Sequence, residues 1–157
     1  MAVQYNFITR WKIKAPLEQV WNAIYDSEQW PNWWKGVMEV NEISNGDAEG
    51  INSVKEYVWK SRLPYTLAFK MKLKKKEQFK MLSGDAFGEL EGTGTWYFGE
   101  KNGITFVQYD WKVLTNKAWM NTFSFFLKPA FNYNHNIVMR WGAEGLAKKL
   151  NAELISC

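Results

Sequence analysis

Hydrophobic and polar residues alternate from the start of the chain. Over 3–14, VQYNFITRWKIK, Tyr5, Phe7, Thr9, Trp11 and Ile13 fall on one side and Asn6, Arg10, Lys12 and Lys14 on the other, with Ile8 the exception. A period of two predicts a strand with one wet face. Pro16 then stands where a helix start tolerates a missing N–H. Leu17, Val20, Trp21 and Ile24 recur at i, i+3, i+4, i+7, which predicts an amphipathic helix over 16–25. Asp26 and Ser27 are cap residues for a second, shorter turn, which carries Trp30, Trp33 and Trp34, holds Pro31 and ends at Gly36.

From 37 to 114, strand and turn signals follow one another. VMEVNEI (37–43) precedes the turn-rich SNGDAEG (44–50), and SVKEYVWK (53–60) leads to Arg62, Leu63 and Pro64. The clearest strand is TLAFKMKLKKKE (66–77), with Leu67, Phe69, Met71 and Leu73 on one face and Lys70, Lys72 and Lys74 on the other. QFKMLS (78–83) repeats the pattern more weakly. AFGELEGTGTWYF (86–98) is strand-like but holds Gly88, Gly92 and Gly94, which mark a bulge or bend in a strongly curved sheet. Asn102-Gly103 is a hairpin signal. ITFVQYDWKV (104–113) then puts Val107, Tyr109, Trp111 and Val113 on one face, with Ile104 and Phe106 out of phase. After Asn116 the period lengthens: 117–127 and 130–150 read as helical, with Pro129 as a kink or fresh start between them. In the second run Phe131, His135, Val138, Met139, Gly142 and Leu146 form one stripe, and Lys148, Lys149, Asn151 and Glu153 a polar end.

This order predicts an α+β fold: a curved antiparallel sheet of six to seven strands, two short helices after the first strand, and a long C-terminal helix packed across the sheet. The apolar face of such a sheet needs a cover, and these helices are the only candidates. A curved sheet gripping one helix leaves a gap, which either fills with large side chains or stays open as a cavity.

The 157 residues read as one domain, 1–157, without repeat or linker. Hydrophobic residues at 46% and charged residues at 23% exclude disordered, collagen-like and mucin-like chains. The single cysteine, Cys157, excludes an intramolecular disulfide and a cysteine-built zinc site. No run reaches the ~20 apolar residues of a membrane span, and the polar N-terminus lacks the apolar run of a signal peptide. A cytoplasmic protein with no stable membrane insertion is expected. Aromatic residues make up 17%, ten of them Trp, and the net charge is +4. These suit either a basic nucleic-acid groove with stacking rings or an aromatic-lined cavity inside a lysine-coated surface. The stripe Lys70, Lys72, Lys74, Lys75, Lys76 favours the second. The apolar side chains of that strand point away from the ammonium groups, and no phosphate loop or nucleic-acid motif is present. No nucleic-acid partner is expected.

Three segments carry a family likeness. KAPLEQVWNAIYDSEQWPNWWKGV (14–37) joins a helix to a Trp-Pro-x-Trp-Trp turn and the start of a strand; AFGELEGTGTWYF (86–98) is a Gly-x-Leu-x-Gly-x-Gly-x-Trp strand; FNYNHNIVMRWGAEGLAKKL (131–150) carries Asn-His-x-x-Val-Met-x-x-Gly-x-x-Gly-Leu. In this order, over nearly the whole chain, they resemble the START-like (SRPBCC) helix-grip superfamily and, within it, the bacterial polyketide cyclase/dehydrase and lipid-transport branch. The resemblance implies a helix-grip fold with a cavity between the sheet and the C-terminal helix. It implies no single activity, because the fold hosts lipid carriers, hormone and sterol binders, cyclases and hydrolases.

His135 is the only histidine, hence the only side chain whose ordinary pKa lies near neutrality. On the inner stripe beside Asn134 it reads either as the proton shuttle of a cyclase or as a buried residue hydrogen-bonded to a strand. Glu89, Glu91 and Asp110 lie on adjacent strands, where paired carboxylates can serve as acid and base; their alternation with Leu90, Tyr109 and Trp111 puts them on the solvated face. Without a cluster at ligand spacing, no metal and no cofactor is expected. Arg62 reads as a cavity-mouth partner for an anionic group or as an ordinary loop residue. The candidate ligand-binding residues are Trp33, Trp59, Leu67, Phe69, Met71, Met81, Leu90, Trp96, Tyr109, Trp111, Met120, Phe131, His135 and Met139. Rings suit a flat or long apolar ligand and methionines an adaptable surface, and both also serve as core filler. The expected function is binding of an apolar or aromatic molecule, lipid-like or polyketide-like, between sheet and C-terminal helix. The alternative is a polyketide cyclase or aromatase using the same cavity with His135 as acid/base. Cyclisation of a reactive chain needs mainly confinement and water exclusion, so residue types alone leave enzyme and carrier both open, and the oligomeric state with them.

Overall fold

A computed structural model describes residues 4–63, 66–115, 118–122 and 124–157, without the side chains of 119, 120 and 124–127. Strand β1 (Gln4–Lys14) leads into α1 (Leu17–Tyr25) and a 3-10 turn (Ser27–Asn32). Six strands follow: β2 (Val37–Ser44), β3 (Val54–Lys60), β4 (Thr66–Glu77), β5 (Met81–Gly88), β6 (Leu90–Lys101) and β7 (Ile104–Thr115). The chain ends with α2 (Ala118–Thr122), α3 (Ser124–Lys149) and β8 (Glu153–Ser156). The strands form one sheet in the order β2-β3-β4-β5-β6-β7-β1-β8. β2 to β7 are a meander, and β1 returns to pair with β7 from Gln4↔Leu114 to Ile13↔Thr105. α1 and the 3-10 turn thus carry the chain from one side of the sheet to its far edge.

Side-chain alternation decides what each strand buries. β1 buries Tyr5, Trp11 and Ile13 and leaves Ile8 exposed. In β7 the odd positions point inward throughout, so Thr105 rather than Ile104 is buried, and its hydroxyl donates to the Ala15 carbonyl at 2.6 Å. Phe106 turns outward, with the Lys12 ammonium 5.5 Å from its ring centre; this settles the phase break seen in the sequence. α1 buries Val20, Trp21, Ala23 and Ile24, the predicted stripe with Ala23 added and Leu17 half-buried. α3 buries Phe131, Val138, Met139, Ala143, Leu146 and Ala147. Two glycines let it approach the 3-10 segment. A Cβ on Gly142 would stand 2.4 Å from Trp34 Cε2, and one on Gly145 1.9 Å from the Trp33 carbonyl oxygen. Trp34 Nε1 in turn donates to the Val138 carbonyl at 2.8 Å. Between helix and sheet, Trp11, Trp30, Trp34 and Trp96 pack with ring centres as close as 4.8 Å for Trp30 and Trp34 and 5.7 Å for Trp11 and Trp96.

The α+β helix-grip architecture stands, with four corrections. The sheet has eight strands rather than six to seven. The additional strand, β8, is four residues long and pairs only with the last turn of β1, Ile13↔Leu154, so its sequence carries no period of its own. Gln78–Lys80 form the turn before β5, with Phe79 at φ 64°, and the strand then runs to Gly88, whose φ of 110° opens the turn into β6; the runs 78–83 and 86–98 therefore divide differently from their reading. Pro129 lies inside α3, so of its two readings, a kink or a fresh start, the fresh start falls. Asp26 and Ser27 make no side-chain cap.

Candidate ligand-binding site

Among the described residues, the hollow under the helices holds two cavities with a shared wall. An inner cavity of about 150 Å³ lies between α3 and the sheet, lined by Tyr5, Phe7, Leu67, Leu90, Trp111, Phe131, Asn134, His135 and Met139 among others. A front cavity of about 430 Å³ lies between the α1 and 3-10 segment and β3 to β7, with Asn45, Gly50 and Ser53 at its rim. Trp30, Trp59, Phe69, Trp96 and Tyr109 line both. Of the residues expected from the sequence, Trp59, Leu67, Phe69, Leu90, Trp96, Tyr109, Trp111, Phe131, His135 and Met139 line the inner cavity. Met71 lines the front one. Trp33 lines neither; it stacks on Trp34, with ring centres 5.5 Å apart. Met81 lines neither, being one residue out of phase with the buried Leu82, which lines the front cavity in its place. The side chain of Met120 lies outside the described residues.

The inner cavity is mostly apolar, with Ser61, Thr115, Asn134 and His135 bringing polar groups to its lining. His135 faces it with its ring stacked on Phe7, centroids 3.9 Å apart and planes 15° apart. Its Nε2 is buried with no hydrogen-bond partner among the described residues, so the strand hydrogen bond expected of a structural histidine is not made by that atom. Burial penalises the imidazolium and lowers the pKa from 6.5 to about 4. Glu89, Glu91 and Asp110 line neither cavity. Glu89 instead accepts from the Ala68 backbone at 2.7 Å, and Asp110 from the Gln108 amide at 2.9 Å.

The front cavity carries a polar chain that sequence reading missed. On β3 the alternation that turns Trp59 inward also turns in Tyr57 and Lys55. The Tyr57 hydroxyl meets Ser27 Oγ at 2.8 Å, and Lys55 Nζ donates to the same Ser27 oxygen at 3.3 Å and lies 3.5 Å from Glu28. Burial raises the Tyr57 pKa to about 12 against the opposing effect of its Ser27 hydrogen bond, with a smaller upward push from Glu28. Burial raises that of Tyr109 as well, with Tyr57 a lesser cause. A Cβ on Gly94 would come 2.4 Å from the Tyr109 hydroxyl, so glycine makes the room this phenol occupies. The spacing K-x-Y-x-W held an unused signal for Lys55 and Tyr57, on the same strand face as Trp59; Ser27 offered none, since a serine between two helical turns reads as a cap. Arg62 is outside both cavities, its guanidinium 5.9 Å from the Trp141 ring centre, which Lys35 also approaches at 4.6 Å. In the lysine stripe, Lys76 pairs with Glu49 at 3.5 Å and Lys75 with Glu77 at 3.7 Å. Among the described residues no three His, Cys, Asp or Glu side chains gather as a metal-binding group, and no helix is long and apolar enough to cross a membrane.

Solved structures share this architecture. The Zhui aromatase/cyclase from Streptomyces sp. R1128 superposes with a TM-score of 0.74 at 8% identity, over 95% of this chain and 94% of that one. A START superfamily protein from Mycobacterium smegmatis gives 0.72 at 10% identity, over 94% and 97%. TTHA0849 from Thermus thermophilus gives 0.71 at 15% identity, over 92% and 99%. At these identities the likeness shows the fold, the curved sheet with its C-terminal helix. No curated protein matches the sequence. The family described as polyketide cyclase / dehydrase and lipid transport matches residues 13–132, from the end of β1 into α3, and so spans every residue that lines the front cavity. With more than half of its length in that match, the chain belongs to the polyketide cyclase/dehydrase and lipid transport family.

Proposed function

We propose that the protein is a binding protein for a small apolar or aromatic molecule, held chiefly in the front cavity and not, as the sequence suggests, only under the C-terminal helix. One observation carries this reading. A cavity of about 430 Å³, within the roughly 300–1,000 Å³ of small-molecule sites, is walled by Trp30, Trp59, Phe69 and Trp96 and holds a few convergent polar groups. Trp59, Phe69, Met71, Trp96 and Tyr109 contact the ligand, with Ser27, Lys55 and Tyr57 at its polar end. The inner cavity, at about 150 Å³, is too small for a fused ring system, so Leu67, Leu90, Trp111, Phe131, His135 and Met139 line an extension behind the shared wall.

Native mass spectrometry of the freshly purified protein tests this, alongside a Met71→Trp variant whose larger side chain narrows the front cavity. A co-purifying small molecule that the variant lacks is the expected result; equal occupancy in both proteins would refute the assignment to this cavity. The cyclase alternative has one observation of its own: His135 lines the inner cavity, and its buried Nε2 has no hydrogen-bond partner among the described residues. At neutral pH the ring is the neutral imidazole, which has one nitrogen free to accept a proton. Under that reading His135→Gln abolishes turnover of a poly-keto substrate, and unchanged turnover eliminates the role.

A further inference from the structure

The polar chain of the front cavity has a direction. An ammonium group only donates, so the 3.3 Å contact leaves Ser27 Oγ as acceptor from Lys55. Ser27 keeps its own proton, and the Tyr57 oxygen lies 2.8 Å away; of the two directions open to that contact, donation from Ser27 is the one the ammonium favours. A hydroxyl that accepts from a cation is polarised toward donation. Donation from Ser27 to Tyr57 then leaves the phenol proton of Tyr57 unused within the chain and free for the cavity that Tyr57 lines. Tyr109 lines the same cavity and brings a second phenol, placed by the space at Gly94. Both phenols stay protonated at neutral pH, because burial raises their pKa values. Both belong to a cavity whose lining sets the rings of Trp30, Trp59, Phe69 and Trp96 beside charged groups such as Glu28 and Lys55, and against the rings an unmet donor is costly.

We infer that the front cavity selects ligands with a carbonyl oxygen on a flat apolar body, and that Tyr57, as the terminal donor of a Lys55–Ser27–Tyr57 relay, receives that oxygen. This rests on the front cavity being the binding site. Lys55 is a positioning residue within it: its ammonium is already engaged by Ser27 and Glu28 and orients the relay without touching the ligand. A hydrocarbon of the same shape fits the rings but leaves both phenols unmet, so shape and hydrogen bonding are separable.

The test uses three naphthalene probes of nearly equal size, titrated against tryptophan fluorescence of the full chain. Acetylnaphthalene carries the carbonyl, isopropenylnaphthalene replaces its oxygen by CH₂, and naphthoate is an anion. The ketone is expected to bind about tenfold tighter than the hydrocarbon, the worth of one well-placed hydrogen bond. Tyr57→Phe is expected to bring the two together without weakening the hydrocarbon, and Lys55→Met to narrow the ratio to about threefold. Retained hydrocarbon binding shows that each variant is folded. Equal affinity of ketone and hydrocarbon for the unaltered protein overturns the carbonyl selectivity and leaves the binding reading intact. A preference for naphthoate that Lys55→Met removes overturns it too, in favour of an ammonium–carboxylate site. Failure of all three probes to bind overturns the binding reading itself.

Discussion

The chain has one histidine, and its burial makes a prediction free of interference from other imidazoles. The His135 ring lies flat on Phe7, centroids 3.9 Å apart, and its Nε2 is sealed without a partner among the described residues. Its pKa falls from 6.5 in the unfolded chain to about 4 when folded. A folded pKa below the unfolded one means that the native state binds fewer protons. The stability this provides is full above pH 6.5 and is lost as pH falls from there toward 4. At 1.36 kcal/mol per pKa unit the complete loss is about 3.4 kcal/mol, and the linkage expression gives about 2 kcal/mol at pH 5. The Phe7 face offers the imidazolium a cation–π contact that offsets part of this, so these figures are ceilings. Urea unfolding of the protein and of His135→Gln at pH 7 and pH 5 measures the effect. Carboxylate titration and the net charge act on both proteins alike, so the difference of differences belongs to His135. The unaltered protein is expected to lose about 2 kcal/mol more than the variant between the two pH values, or roughly 4–8 °C in Tm for a domain of this size. Proton NMR of the sole imidazole checks the cause directly. Parallel pH dependences, or an imidazole that titrates near 6.5, would show that the ring is hydrated and the reasoning mistaken.

Gly145→Ala sets two effects against each other. Alanine gains about 1 kcal/mol of helix propensity, but its Cβ would stand 1.9 Å from the Trp33 carbonyl oxygen, a backbone atom that cannot swing aside. Overpacking of this kind costs about 3 kcal/mol, so a net loss of about 2 kcal/mol in denaturant unfolding is expected, and a stabilised variant would sink the account of how α3 docks. Thr105→Val removes the 2.6 Å hydrogen bond to the Ala15 carbonyl and strands a buried acceptor, which lowers unfolding stability by about 1–3 kcal/mol; no change would mean that water replaces the hydroxyl. Trp59→Ala deletes part of the wall between the two cavities. It costs about 3 kcal/mol of stability and is expected to admit three- and four-ring ketones that the unaltered protein excludes, as read by fluorescence titration; a variant that gains no larger ligand would show that Trp59 does not divide them.

Much of the fold was legible because periodicity survives where each strand has one wet face. The β4 alternation of Leu67, Phe69, Met71 and Leu73 with lysines gave strand limits that match Thr66–Glu77. In α3 the stripe of Phe131, Val138, Met139, Gly142 and Leu146 lies inward as read. What stayed hidden depends on partners distant in sequence. β8 exists because β1 offers it an edge at Lys12–Lys14, which no local pattern encodes. Met81 reads as an inner residue until the turn at Phe79 resets the phase by one. Ser27 reads as a cap until Tyr57, thirty residues on, gives its hydroxyl a partner.

The division of the hollow follows from dimensions. Eight strands at about 4.8 Å each make a sheet wider than three helix diameters of about 10 Å, even before curvature. One α-helix therefore cannot cover it, and the sequence supplies only α1, the 3-10 turn and the short α2 besides. Around α3 the tryptophans close the gap: Trp34 sits against Gly142 and bonds to Val138, and the space left over is small and apolar. Beneath the thinner 3-10 segment the gap stays wide, and there the inward positions of β3 and β7 carry Lys55, Tyr57 and Tyr109. Filler chosen for stability alone would have placed hydrocarbon at these positions, since taking a hydroxyl or ammonium out of water costs free energy that a methyl group does not. Polar groups concentrated where packing is poorest are what a site for a polar-tipped apolar ligand requires, and a plugged core does not.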